Sequence, residues 1–244
     1  MKLRTIYRRL NRYQQRITKR VLRRYRTLVY RGTQVYCPIC NWKGQRFFDE
    51  HCPSCHSQAR TRLVAFALDY FNLIHPNLKL LHVAPNMNEF RFVQGRFKDL
   101  VCHDRVDIKV RKQINIIDDI SNPKHLNTNY DLGIVWHVFE HIKEDIKAIA
   151  HLYRVMRSGS SLIVSVPIYP QGNPTTFEDH TMAYADFERV HGHYDHCRSC
   201  GLDYYQRFEA AGFQTETLSV SALDPNTIVR FGLQEDHVVW CFTK

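Results

Sequence analysis

The sequence predicts an α/β fold built on a parallel sheet, and three neighbouring segments carry that prediction. Residues 132–138 are an apolar run rich in branched side chains, the pattern of a strand covered on both faces. Ile146, Ala148, Leu152, Val155 and Met156 then place apolar groups on one side of a helix over residues 144–157. Residues 162–168 form a second branched strand, stopped by Pro170. Gly159 stands between helix and strand, where a residue free to take positive φ is wanted. A strand, a crossover helix and another fully apolar strand make a parallel βαβ unit.

The chain of 244 residues is long enough for one full α/β domain and a small appendage. No run approaches the ~18 apolar residues of a membrane span, and the N-terminus lacks the uninterrupted apolar stretch of a secretory signal. Four of the eight cysteines stand in two tight pairs, which predicts metal thiolates in a reducing compartment and so a cytoplasmic location. The net charge of +10 is concentrated: twelve of the 34 Lys and Arg, and none of the 24 Asp and Glu, fall in residues 1–31. The rest of the chain is close to neutral.

That basic arm, residues 1–33, sets Leu3, Ile6, Leu10, Tyr13, Ile17, Val21, Tyr25 and Leu28 at spacings of three or four, a narrow helical stripe. Arg occupies the other faces. Polyanion binding, to RNA or to an anionic membrane surface, is the leading functional reading; an organelle transit peptide would be Ser-rich, and the arm has no Ser. A helix docking its stripe on the domain or on a second copy is the plainer alternative. Cys37, Cys40, Cys52 and Cys55 follow in residues 34–56. Two residues within each pair let both sulfurs reach one ion, and two such knuckles complete a closed tetrahedral site, a structural zinc. Cys197 and Cys200 form a later, isolated pair without the ligand count of a closed site.

Residues 57–244 are expected to form the main domain, beginning with a largely buried helix within 56–74. Core strands are predicted at 79–85, 100–103 and 113–117, with Asp104 just past the second, Asp107 three residues on, and Asp118 and Asp119 after the third. Ligands bind at the carboxyl ends of parallel strands in open α/β sheets, although a lone Asp at such a turn is often only solvated. His137, Glu140 and His141 lie beyond the fourth strand, the last two being candidates also for capping the next helix. A polar segment after Pro170 leads to a helix at 203–211, a Gly212 stop, and closing strands at 213–220 and 237–243.

Residues 137–142, HVFEHI, then LYRVM and RSGSSLIVSVPI, resemble the fourth-to-fifth-strand segment of class I S-adenosylmethionine (SAM)-dependent methyltransferases, in the form found in the methyltransferase-type-11 group. CPICNWKG followed by CPSCHSQARTRLV resembles the zinc-ribbon lead-in of a subset of these enzymes, and LHVAP at 81–85 fits the same subset. The resemblance implies a Rossmann-like seven-stranded sheet with an N-terminal four-Cys ribbon. It also implies SAM as cofactor and methyl transfer to an oxygen or nitrogen of a small molecule, saccharide or RNA. By the same matching, His82, Ala84 and Pro85 would face the cofactor, Asp104 would bond the ribose hydroxyls, and Asp119 would receive the adenine amino group. His137 would face the methyl-transfer site, Asp195 or His196 would serve as base, and Arg198 would hold an anionic substrate group; alternatively, Asp195 and Arg198 form an ion pair that stabilises the loop. The loop after the first strand departs from the usual glycine-rich pattern, having no Gly before Gly95. That departure favours the alternative, a nucleic-acid-binding module or scaffold on a fold that no longer catalyses.

Overall fold

The computed structural model describes residue 18 and residues 20–244. Most of the basic arm therefore lies outside the described residues. Its last part is a helix, α1, over residues 20–29, leading into a two-stranded antiparallel ribbon of β1 (Arg31–Tyr36) and β2 (Lys43–Gly44). Thr27 at the end of α1 binds the ribbon: its hydroxyl donates to the Pro53 carbonyl (2.9 Å), and its own carbonyl accepts from the Trp42 indole (3.1 Å). Val21, Tyr25 and Leu28 of the predicted stripe are exposed.

Seven strands form one sheet: β3 (Lys79–Val83), β4 (Cys102–Asp107), β5 (Ile116–Ile117), β6 (Tyr130–Trp136), β7 (Met156–Ser165), β8 (Gln214–Ser219) and β9 (Val238–Thr243). Their order is β5-β4-β3-β6-β7-β9-β8, parallel from β5 to β7, with β9 antiparallel to both its neighbours. Side chains alternate across the pleat. Leu81, Val83, Val106, Val135 and Val164 face α4 (Asp145–Val155) and α6 (Gln206–Glu209). Leu80, Leu132, Ile134, Ile163 and Val239 face the opposite layer, α2 (Ala59–Tyr70), α3 (Met87–Arg96) and α7 (Pro225–Phe231).

The boundaries differ from expectation in instructive places. The second core strand runs to Asp107, so Asp104 lies inside it, in register with Leu81, and not beyond its end. Alternating polar residues in CHDRVD hide that strand, because the buried polar groups find specific partners: Asp104 accepts from Tyr130 Oη (2.6 Å) and Asn127 Nδ2 (2.8 Å). The fourth strand ends at Trp136, two residues early, and His137 takes the left-handed conformation (φ 52°). Gly159 has the anticipated positive φ (73°) but sits within β7, its N–H donating to the Lys244 carbonyl, since the helix has already ended at Val155.

Two helices escape periodicity yet carry their own signals. Asn86 and Glu89 form a reciprocal capping box at the start of α3, and Asp224-Pro225 opens α7, which Gly232 closes in the left-handed region. The segment expected to be one helix at 203–211 is instead a 3₁₀ turn (Leu202–Tyr205) continued by α6.

Arg62 ties the ribbon to the sheet domain. Fully buried on α2, its guanidinium donates to the Glu50 and Ser57 carbonyls on one side and to those of Phe231 and Gly232 on the other. Phe47 lies over it at 3.9 Å. Among the described residues no helix is long and apolar enough to cross a membrane.

Candidate functional site

The carboxyl ends of β3, β4, β5 and β6 open into a cavity of about 660 Å³, the size of a small-ligand site. At the end of β3, Ala84 takes the left-handed conformation (φ 48°), and its N–H donates to the Val106 carbonyl (2.6 Å). The turn thus has the shape usually given to glycine, held by an alanine at some conformational cost. Asn86 then caps α3 by accepting from the N–H groups of Asn88 and Glu89.

Asp107 ends β4 and lines the cavity. Its Oδ1 accepts the Lys109 N–H (2.9 Å); its Oδ2 is buried and accepts no hydrogen bond, with Arg111 Nε standing off at 3.5 Å. Two carboxylates follow β5. Asp118 is occupied by the N–H groups of Asp119, Lys124 and His125, which hold it below the usual carboxylate range although burial acts to raise it. Asp119 accepts from the Ser121 N–H and hydroxyl and lines the cavity beside Ile120.

His137 follows β6, its N–H bonded to the Ser165 carbonyl (2.9 Å) and its ring in the cavity wall. The 3₁₀ turn Phe139–His141 comes next. Glu140 is almost wholly buried, with Oε1 at 3.5 Å from His137 Nδ1 and 3.7 Å from His141 Nε2. Burial raises its carboxyl, but the hydrogen bond and charge of His137, with His141, outweigh this and hold it below the usual range. The loop after β7 brings Asp195 and His196 to the same rim. Asp195 Oδ1 lies 3.3 Å from His141 Nδ1 and is bonded by His193 Nδ1, while the His196 ring is 4.9 Å from that of His141. Burial pushes the His196 imidazole below its ordinary value, so it is neutral at neutral pH, a form able to accept a proton.

Of the residues anticipated from the sequence, Ala84, Asp119, His137 and Asp195 line the cavity, and His196 adjoins it. Four do not. His82 is buried in the sheet, stacked on His103 with ring centroids 5.8 Å apart. Pro85 turns its carbonyl to Gln113 Nε2 (2.9 Å). Asp104 is the mid-strand residue described above, and Asp107 takes the strand-end position expected of it. Arg198 is fully buried, and its partners are Asp145, Glu178 and the carbonyls of Phe139, Ile142 and Lys143. It holds the loop in place and pairs with neither Asp195 nor the cavity. Sequence reasoning gave no role to Tyr184 and Phe187, which wall the cavity from the same loop after β7; no periodicity marks them, because the 3₁₀ turn Tyr184–Asp186 and α5 (Phe187–His191) are only three and five residues long.

At the ribbon, the sulfurs of Cys37, Cys40, Cys52 and Cys55 lie within 4.8 Å of one another, and the Cys37–Cys55 and Cys40–Cys52 separations are both 3.7 Å. A zinc–sulfur bond of ~2.3 Å in a tetrahedron sets sulfur–sulfur edges of about 3.8 Å, so the donor set fits zinc. Cys197 and Cys200 are buried separately, Cys197 Sγ donating to the Glu140 carbonyl and Cys200 packing in the core.

No protein-family model and no curated protein sequence matches the chain. Its architecture does match solved structures. An S-adenosylmethionine-dependent methyltransferase of Mesorhizobium loti superposes with TM-score 0.54 at 12% identity, over 74% of this chain and 97% of that one. The 1,6-didemethyltoxoflavin-N1-methyltransferase of Burkholderia thailandensis, solved with bound 1,6-didemethyltoxoflavin and S-adenosylhomocysteine, gives 0.51 at 13% identity, covering 76% and 78%. The cyclase SpnF gives 0.50 at 14%, covering 75% and 81%, so proteins of this architecture differ in the reaction they are named for. By these superpositions of its seven-stranded mixed sheet, the chain has the class I SAM-dependent methyltransferase fold.

Proposed function

We propose that this protein is a SAM-dependent methyltransferase acting on an oxygen or nitrogen nucleophile of a small molecule, saccharide or RNA. The observation that carries the proposal is Asp107 Oδ2, a buried carboxylate oxygen that accepts no protein hydrogen bond at the end of β4. This acceptor, whose nearest cation is Arg111 Nε at 3.5 Å, lacks a hydrogen bond at some cost, and the vicinal hydroxyls of a ribose would supply one. Asp107 thus replaces Asp104 in that role. Asp119 is assigned to the adenine amino group, Ile120 to the adenine face, and the Ala84 turn to close backbone approach. When bound, SAM supplies an electrophilic methyl on a sulfonium. The chain's part is to hold and orient the two reactants, to exclude water, and to receive a proton. His137 faces the reacting groups, and Asp195 and His196 are the candidate bases.

Calorimetric titration of SAM, and of its demethylated product, tests this. Micromolar binding is expected, weakened about tenfold or more in Asp107→Asn, for loss of roughly 1.4 kcal/mol, and little changed in Asp104→Asn. Absence of binding to folded wild type would shift the reading to the non-catalytic alternative. Equal affinity in Asp107→Asn would remove the ribose assignment alone.

A structural zinc at the four cysteines belongs to the same proposal, and four thiolates leave it no open position for catalysis. A second reading adds polyanion binding through residues 1–31, supported by a groove of about 760 Å³ in which Arg20, Arg23 and Arg26 of α1 face His51 and His56 of the ribbon. Removal of residues 1–31 is expected to abolish salt-sensitive binding of single-stranded RNA, followed by fluorescence anisotropy, while leaving SAM affinity intact. Equal RNA affinity in the shortened chain would make α1 a docking helix only.

A further inference from the structure

We propose that Glu140, His141 and His196 form a site for a divalent first-row transition ion on the acceptor side of the cavity. Each offers one ligand atom, and the three atoms lie within 4.8 Å of one another. Metal–nitrogen and metal–oxygen bonds of ~2.1 Å place adjacent ligands roughly 3.0–3.4 Å apart, so a contraction on the order of 1 Å closes the triad.

Two features beyond proximity point to an ion. Glu140 is 1% exposed, and its Oε2 has no hydrogen-bond partner; its other oxygen meets only imidazole nitrogens, at 3.5 and 3.7 Å. A carboxylate needs strong compensation to stay charged at such burial. His141, in turn, is oriented from behind: its Nδ1 lies 3.1 Å from the Asp195 carbonyl oxygen and 3.3 Å from Asp195 Oδ1. Two acceptors at Nδ1 hold a proton there, so that Nε2, which faces Glu140, is the nitrogen available to an ion. A carboxylate behind an imidazole whose far nitrogen is free is the arrangement that positions histidine ligands. Toward the ion, Asp195 thus acts as a positioning residue through His141.

The chemistry selects the ion. Two imidazoles and one carboxylate suit Zn²⁺, Co²⁺, Mn²⁺ or Fe²⁺ better than Mg²⁺ or Ca²⁺, which prefer oxygen. Three protein ligands leave coordination positions open, and His141 lines the cavity. The acceptor class this implies, which rests on the methyltransferase reading above, is a hydroxyl with a neighbouring oxygen donor: a vicinal diol, a catechol or a hydroxy acid. The ion lowers the pKa of the coordinated hydroxyl; with His196 engaged as a ligand, the proton goes to Asp195, which lines the cavity beside His141.

The test uses full-length protein with the four-cysteine site filled by zinc, titrated with Co²⁺ by calorimetry and absorption. One further Co²⁺ per chain is expected, with a micromolar Kd, weakened at least about tenfold in both Glu140→Gln and His196→Ala while the zinc content stays at one. Catechol added to the Co²⁺ form should shift its visible spectrum. No Co²⁺ beyond the cysteine site, or binding indifferent to both substitutions, overturns the metal site. An unchanged spectrum with catechol overturns the chelated-acceptor part. Co²⁺ binding without SAM binding would leave the metal site standing and remove the methyltransferase reading; SAM binding without Co²⁺ would do the reverse.

Discussion

Arg198→Met is expected to lower the unfolding free energy by roughly 3–5 kcal/mol, the scale of breaking a buried ion pair by removing one partner. The guanidinium is fully buried and donates to the carbonyls of Phe139, Ile142 (2.6 Å) and Lys143 (3.1 Å), with Glu178 Oε2 at 2.8–2.9 Å and Asp145 Oδ1 at 3.2 Å. Arg207 and Tyr204 also reach Asp145, so that carboxylate keeps partners. The three carbonyls lose the donor that holds them. Arg198→Lys should recover little, because an ammonium cannot reproduce a planar fork engaged on three sides. Urea denaturation measures the effect; a loss below about 1 kcal/mol would show that the loop does not depend on this tie. Since Phe139 and Ile142 bracket Glu140 and His141, the same variant should loosen the cavity rim.

Cys37→Ser is expected to abolish zinc binding and unravel the ribbon. Structural zinc in isolated fingers contributes about 10–16 kcal/mol of apparent binding free energy, and the ribbon's own apolar core is small: Val35, Trp42 and the cysteines, with Ile39 and Phe47 packed against them. The measurements are elemental analysis and thermal unfolding. Because Arg62 draws on the Glu50 and Ser57 carbonyls, the main transition should fall in temperature rather than split. A full zinc content with an unchanged midpoint would defeat the prediction.

The sheet was legible because parallel strands buried on both faces are apolar throughout, as residues 132–138 and 162–168 are. The site was legible in part, for reasons that differ residue by residue. Choosing Asp104 over Asp107 depended on where a strand of alternating polar residues ends, and only its pairing with β3 reveals that. Arg198 could have pointed into the cavity or into the protein; its partners at 139, 142, 143, 145 and 178 are distant in sequence, and a loop has no periodicity to assign a face. The missing glycines after β3 argued against a working turn, yet Ala84 adopts the required backbone shape. A pattern written in glycines is blind to that substitution. The capping signals of α3 and α7 were present at Asn86–Glu89 and Asp224-Pro225 and needed only to be read before the hydrophobic pattern.

Arg62 also bears on how such a chain could arise and change. One side chain helps to anchor the ribbon, alongside the Gln234–Glu50 hydrogen bond, and closes the carbonyl end of α7, near the far end of the sequence. Exchanging the ribbon would leave guanidinium N–H groups bare in the sheet half, and exchanging the sheet half would leave the Glu50 carbonyl bare in the ribbon. Ribbon and sheet are therefore a unit of inheritance: a descendant that shed its cysteines would have to find a new cover for α2 and α7 in the same step.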